Sequence, residues 1–270
     1  MSDPGRVRDL ISPPARDADA ERRHNRELLR ENDRAAYDSL NERVRGLSEE
    51  DRRLLAVRIA ELIAYQDVDY ARRYVDIVLD VAERERAKLG ERTGLVITRE
   101  VIRNLYKLMA YKDEYEVARL HLRASREQKA ASVFAGTTKV KYNLHPPMLR
   151  AMGMKNKISV SERWLNPAFT ALTRLRRLRG TWFDPFGRDR VRKEERRLIG
   201  WYTDLVRSAM DELKLQNKAA VLDIARLPDG IRGYEDVKLR SAAEATAHAE
   251  VLRGRLANTL SLPLLTNTEN

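Results

Sequence analysis

Leu55, Ile59 and Leu62 stand at i, i+4 and i+7, and Tyr70, Tyr74, Ile77 and Val81 carry the same stripe onward. A strand would scatter these side chains over two surfaces; a helix gathers them on one. The pattern returns at Val101, Leu105, Leu108, Tyr115 and Leu122. It returns again at Leu198, Tyr202, Leu205, Ala209 and Leu213, with Ile199, Val206 and Met210 alongside. Glycine supplies only 12 of 270 residues, too few for a turn-rich β fold, and 34% charged residues suit long amphipathic surfaces. The expected fold is mainly α: a bundle of six or seven helices with a small two-stranded antiparallel ribbon.

Local signals set the expected boundaries. Residues 1–47 read as a flexible, charged lead-in and helix: three prolines stand in the first seventeen residues, and residues 18–46 are charge-dense with sparse apolar positions. Ser48 followed by Asp51 is a capping-box pattern that opens the helical domain, 48–258. Gly90 and Gly94 end the first long stripe, and Thr98 is placed to cap the next helix, which runs unbroken through "AYKDEYEVARL" (110–120). "VKYNLHPP" (140–147) and "KISVS" (157–161) switch to strand-like alternation and could pair as the ribbon. Asn166-Pro167 starts a helix that stops at Gly180, and "GTWFDPFG" (180–187) is an ordered loop. Later helices begin near Asp189, Asn217 and Tyr234, and residues 259–270 form a frayed tail.

Composition narrows the chemistry. The chain has no cysteine, which excludes disulfides, thiol nucleophiles and thiolate-held iron–sulfur or zinc sites within it. His24, His121, His145 and His248 show no ligand spacing, so no metal site of its own is expected. Phosphate-cradling glycine loops, a nucleophile elbow and paired-carboxylate motifs are all missing. No apolar run approaches the ~20 residues that span a bilayer, and a cytoplasmic location follows by default. Lysine and arginine exceed aspartate and glutamate, 52 to 41, a formal charge of +11 that would suit acidic partners. Nucleic-acid binding ranks last, because the basic residues are scattered among many acidic ones.

"AYKDEYEVARL" is the densest polar constellation, and "AYQDVDYARRY" (64–74) echoes it. On a continuous helix Lys112, Tyr115, Glu116 and Arg119 share a face, while Asp113 sits about 100° away and is free to meet another element. These five residues are the candidate polar seam, a charged interhelical contact being commoner than an anion pocket. "TRLRRLRG" (173–180) reads as a basic rim, since Leu172, Leu175 and Leu178 give the run an apolar stripe. A separate candidate anion-binding set, for a phosphate-bearing ligand such as coenzyme A, comprises Lys139, Lys141, His145, Arg177, Arg179, Arg232 and Lys238.

Four ordered stretches carry a family resemblance: "RNLYKLMAYKDEYEVARL" (103–120), "KVKYNLHPPML" (139–149), "RLRGTWFDPFG" (177–187) and "LPDGIRGYEDVK" (227–238). Together with "LIAYQDVDYARRY" (62–74), they resemble the C-terminal region of indolepyruvate ferredoxin oxidoreductases, of the 2-oxoacid:ferredoxin oxidoreductase family. The similarity spans about residues 54–256. In such enzymes thiamine diphosphate attacks the 2-oxoacid, carbon dioxide leaves, iron–sulfur clusters pass electrons to ferredoxin, and coenzyme A takes the acyl group. Those steps belong to domains that precede this region. The resemblance therefore implies a non-catalytic accessory module, with no cofactor in this chain, that docks on catalytic subunits carrying thiamine diphosphate, magnesium and iron–sulfur clusters, and self-association is a further partner option. One departure stands out: where the resembled proteins read IRG-(F/Y)-GHVK, Glu235 and Asp236 replace the glycine and the histidine.

Overall fold

Buried tyrosines do much of the work of holding this protein's helices together. The computed structural model describes residues 17–90, 94–135 and 162–261, with side chains for 17–90, 94–125 and 167–257. The described residues form ten α-helices: α1 (Ala18–Leu28), α2 (Glu31–Arg43), α3 (Glu49–Tyr65), α4 (Val68–Leu89), α5 (Val96–Met109), α6 (Glu114–Ala135), α7 (Glu162–Leu175), α8 (Arg190–Asp211), α9 (Lys218–Arg226) and α10 (Glu235–Ser261). Short 3-10 turns occupy Arg176–Leu178, Leu215–Asn217 and Leu227–Gly230. The mainly α expectation holds and the count of six or seven helices is corrected to ten. No strand occurs among the described residues, and the ribbon expected over 140–144 and 157–161 lies outside them.

Helix α5 is the axis of the main body. It touches α3, α4, α8 and α9, and it buries Ile97, Val101, Ile102, Leu105, Leu108 and Met109. Tyrosine hydroxyls pin the packing to backbone carbonyls, satisfying groups that burial would otherwise leave costly. Tyr74 reaches Ile102 at 2.7 Å, Tyr70 reaches Met109 at 2.9 Å and Tyr65 reaches Tyr111 at 3.0 Å. The last two serve carbonyls at and just beyond the end of α5, where helical partners run out. Tyr37 donates likewise to Ala56, and Tyr202 to Ala225.

The extra helices come from breaks that the apolar stripes conceal. Residues 18–46 hold two helices rather than one, separated by extended backbone at Leu29 and Arg30. The region expected as a helix is packed from Ala18 onward, and Leu29, Tyr37, Leu40, Val44 and Leu47 belong to the main core; residues 1–16 lie outside the described ones. A few apolar residues suffice there because long arginine and glutamate stems can cover the rim. The stripe through 55–81 breaks at Gln66 and Asp67, where the Asp67 carboxylate caps α4 by accepting from the Tyr70 amide at 2.9 Å. At the other end of the chain, α10 continues to Ser261, into the tail expected to fray from 259; residues 262–270 lie outside the described ones.

Three caps also differ from expectation, while Ser48 caps α3 as its pattern indicated, accepting from the Asp51 amide. Thr98 lies inside α5, and the cap is Glu85 of α4, wholly buried, which accepts from the amides of Ile97 (3.1 Å) and Thr98 (2.8 Å) and from the Thr98 hydroxyl. Pro167 falls inside α7, which starts at Glu162. Asn217 directs its side chain backward, accepting from the Lys214 amide and donating to the Glu212 carbonyl, so it closes the preceding turn and leaves α9 uncapped by it.

Candidate functional site

The two echoing stretches turn out to be the same local device. "AYQD" and "AYKD" each end a helix and begin another, and in each the aspartate is the cap. Asp113 accepts from the Glu116 amide at 2.8 Å, as Asp67 does from Tyr70. The unbroken helix expected through 110–120 is therefore corrected: α5 stops at Met109 and α6 starts at Glu114. Lys112 stands in the connection, exposed, and does not join the face on which helical spacing would have put it.

Both devices point at one side chain, Arg179, which follows the 3-10 turn after α7. Its Nη2 donates to Asp113 Oδ1 at 2.8 Å and its Nε to Oδ2, while Nη1 donates to the Tyr65 carbonyl at 2.6 Å. The guanidinium carbon lies 3.6 Å from the centre of the Tyr65 ring and 5.4 Å from that of Tyr115. Arg179 and Asp113 are 5% and 3% exposed, so the pair is removed from water. Tyr65 in turn stacks on Tyr70 and meets Tyr111 edge-on. The Tyr115 hydroxyl donates to Asp184, which also accepts from the amides of Gly180 and Phe186 and so ties the 180–187 loop to the same junction.

Electrostatics fix the protonation states. Burial pulls the Arg179 guanidinium down, but the hydrogen bonds and charge of Asp113 more than offset it and hold the group above its usual range. Desolvation pushes the Tyr65 hydroxyl well up, against the opposing pull of Arg179. Desolvation, reinforced by the bond to Asp184, raises Tyr115. A guanidinium that stays charged and a phenol that stays neutral shuttle no protons near neutrality. The arrangement is a bidentate clasp, and what it can do chemically is hold three segments in register.

Around the clasp runs a seam of ion pairs. Arg119 of α6 bridges Glu116 on its own helix (2.8 Å) and Glu61 of α3 (2.6 Å), and Arg123 reaches the same Glu61 at 2.8 Å. Arg192 of α8 joins Glu114 at 3.2 Å and Glu195 at 2.6 Å. Of the five seam residues read from sequence, Asp113, Tyr115, Glu116 and Arg119 converge here and Lys112 does not. Sequence reasoning missed Tyr65, Glu61, Asp184 and Arg192. A signal existed for the break itself: Asp113 followed three residues later by Glu116 is a helix-start pattern.

The candidate anion-binding set is described only in part. Lys139, Lys141 and His145 lie outside the described residues. Arg177 is exposed on the 3-10 turn, and Arg232 is exposed with its Nε on the Asp229 carbonyl. Arg179 and Lys238 are committed to carboxylates, on Asp113 and Glu195, so neither offers a free charge. Among the described residues, no cluster of three histidine, aspartate or glutamate side chains could hold a metal ion, and no helix is long and apolar enough to cross a membrane.

Searches of curated proteins and of solved structures return no match. A family model does match, over residues 52–251, taking in the clasp, the seam and eight of the described helices in whole or part, with α1, α2 and the start of α3 preceding it. The chain belongs to that family, described as a family of unknown function (DUF6537).

Proposed function

We propose that this chain is a non-catalytic accessory module of a 2-oxoacid:ferredoxin oxidoreductase of the indolepyruvate type, docking in the cytoplasm on catalytic subunits. Those subunits would carry the thiamine diphosphate, magnesium and iron–sulfur clusters. The observation that carries the reading is the use to which the resembling stretches are put. Residues from 62–74, 103–120 and 177–187 meet at Arg179 and direct their polar atoms at one another. Motif residues engaged inward in this way are suited to support chemistry located elsewhere.

A backbone detail supports the kinship. Glu235, where the resembled proteins have glycine, adopts φ +50°, in the left-handed region that glycine occupies without penalty. Gly233 just before it has φ +96°, and an added Cβ would lie 2.6 Å from Val237 Cγ1. The turn thus keeps a glycine-type geometry although its second glycine is replaced.

Affinity purification of the tagged full chain from its native host, with mass spectrometry of what accompanies it, tests the reading. Stoichiometric recovery of thiamine diphosphate- and cluster-bearing oxidoreductase subunits is the expected result. Recovery of the chain by itself, at every salt concentration tried, would overturn it.

A further inference from the structure

The loop tied down by Asp184 ends in two aromatic rings that the fold leaves in water. Trp182 and Phe183 are 83% and 75% exposed. Their presentation is built. Asp184 takes the Gly180 and Phe186 amides, and Gly187 is so close that an added Cβ would sit 2.7 Å from Asp184 Oδ2. Arg196 also holds the Gly187 carbonyl. Adjacent large aromatics on a fixed turn pay little ordering entropy when they are covered, which is what an interface anchor requires.

Beside them the surface is basic. The Arg188 guanidinium carbon lies 5.6 Å from the Trp182 ring centre, and Arg188 also lines a groove of about 470 Å³ between α8 and α10. Arg190, Lys193, Glu194 and Arg197 line it too, with Leu239 at its side. Arg197 is forked onto Glu194 at 2.7 and 2.8 Å. Arg190 lends its charge to Glu194, but Arg188, Arg190 and Lys193 make no ion pair within 4 Å among the described residues. The groove is left with a surplus of positive charge next to two apolar anchors.

We propose that Trp182, Phe183 and this groove form a docking face for an acidic segment of another protein, aromatic side chains anchoring it and the groove pairing its carboxylates. Tryptophan and arginine are the residues in which interface energy concentrates. Charge complementarity selects the acidic occupant. A nucleic acid fits less well, since Arg188 already covers one face of the indole and Glu194 lies in the groove, where it would meet a phosphate backbone. The proposal deepens the accessory-module reading by naming the face used, and it rests on that reading for its expectation of a protein partner.

The test replaces Phe183 with photoreactive p-benzoylphenylalanine in the full chain in its native host. The same replacement at exposed Val251 serves as control, and crosslinked peptides are sequenced by mass spectrometry. The expected result is a crosslink from position 183 to an aspartate- and glutamate-rich segment of another protein. Combining it with Arg188→Glu and Lys193→Glu should lower the yield by about tenfold or more with helical content and Tm unchanged. Crosslinks to RNA, to this chain itself or to a neutral or basic segment would overturn the proposal. So would a yield no higher than at Val251, or one that survives the charge reversal. If the acidic segment comes from a protein outside the oxidoreductase, the docking face stands and the accessory reading falls. If oxidoreductase subunits copurify but never crosslink at 183, the accessory reading stands and the face is wrong.

Discussion

Arg179 gives up its hydration for one carboxylate, one carbonyl and the face of a tyrosine. Such an exchange is finely balanced, because the cost of burying two charges nearly cancels their attraction, and removing one partner exposes that cost in full. Asp113→Asn should therefore destabilise the fold by about 3–5 kcal/mol, read from the urea midpoint. Arg179→Lys keeps the charge but loses the fork and should recover only part of that stability. At Glu235 the sign reverses. A non-glycine residue in the left-handed region is strained by roughly 1–2 kcal/mol, so Glu235→Gly should raise the urea midpoint, and an unchanged or lower midpoint would contradict the strain. Sequence spacing marked Asp113 as the odd member of its cluster, aimed at another element, and that much was legible. Its partner was not, because an arginine 66 positions away in a run of four arginines carries no mark that sets it apart.

At the scale of elements, the helices were legible and their breaks were not. Apolar periodicity survives the junction at 66–67 because the helices on either side continue into the same core, and it survives the junction at 110–113 because Tyr115 and Ala118 are buried too, although outside that core. Neither junction contains glycine or proline, so the usual punctuation is absent. Both are instead marked by aspartate caps, a weaker signal that has to compete with a strong stripe. The cap of α5 was unreadable in principle from local sequence, since it comes from Glu85 across a turn. Glu85→Ala should destabilise the protein by roughly 2 kcal/mol, leaving the amides of Ile97 and Thr98 buried and unpaired. Amide hydrogen exchange should quicken first in the opening turn of α5, and uniform acceleration along the helix would contradict a capping role.

At the scale of the whole molecule, the described residues bury side chains in two separate places. The main core runs through α2–α5 and α8–α10, with Leu29 after α1 joining it, whereas Tyr115, Ala118 and Phe169 of the α6–α7 pair are buried outside it. Among the described residues, the clasp, its ion-pair seam and a hydrogen bond from Arg176 Nε to the Gln66 carbonyl tie the pair to the rest. The molecule is also strongly tyrosine-stapled, which sets its response to base. Burial raises Tyr37, Tyr65, Tyr70, Tyr74, Tyr111, Tyr115 and Tyr202 above the usual phenol range and pushes Tyr106 up to about 12. Each folded value exceeds the unfolded one near 10, so the unfolded chain loses protons first. Stability from these groups is intact below about pH 10 and falls as pH rises from there toward the folded values, by up to about 1.4 kcal/mol per tyrosine per pH unit. Ultraviolet titration should show most tyrosines ionising together with loss of helical circular dichroism, and early ionisation of an intact fold would contradict their burial. The central claim is that the motif residues fasten the α6–α7 pair to the main body. Hydrogen exchange of Arg179→Met, compared with the unaltered chain, tests it most directly. Protection should collapse in α6 and α7 while α3–α5 stay protected; unchanged protection in α6 and α7 would contradict the claim.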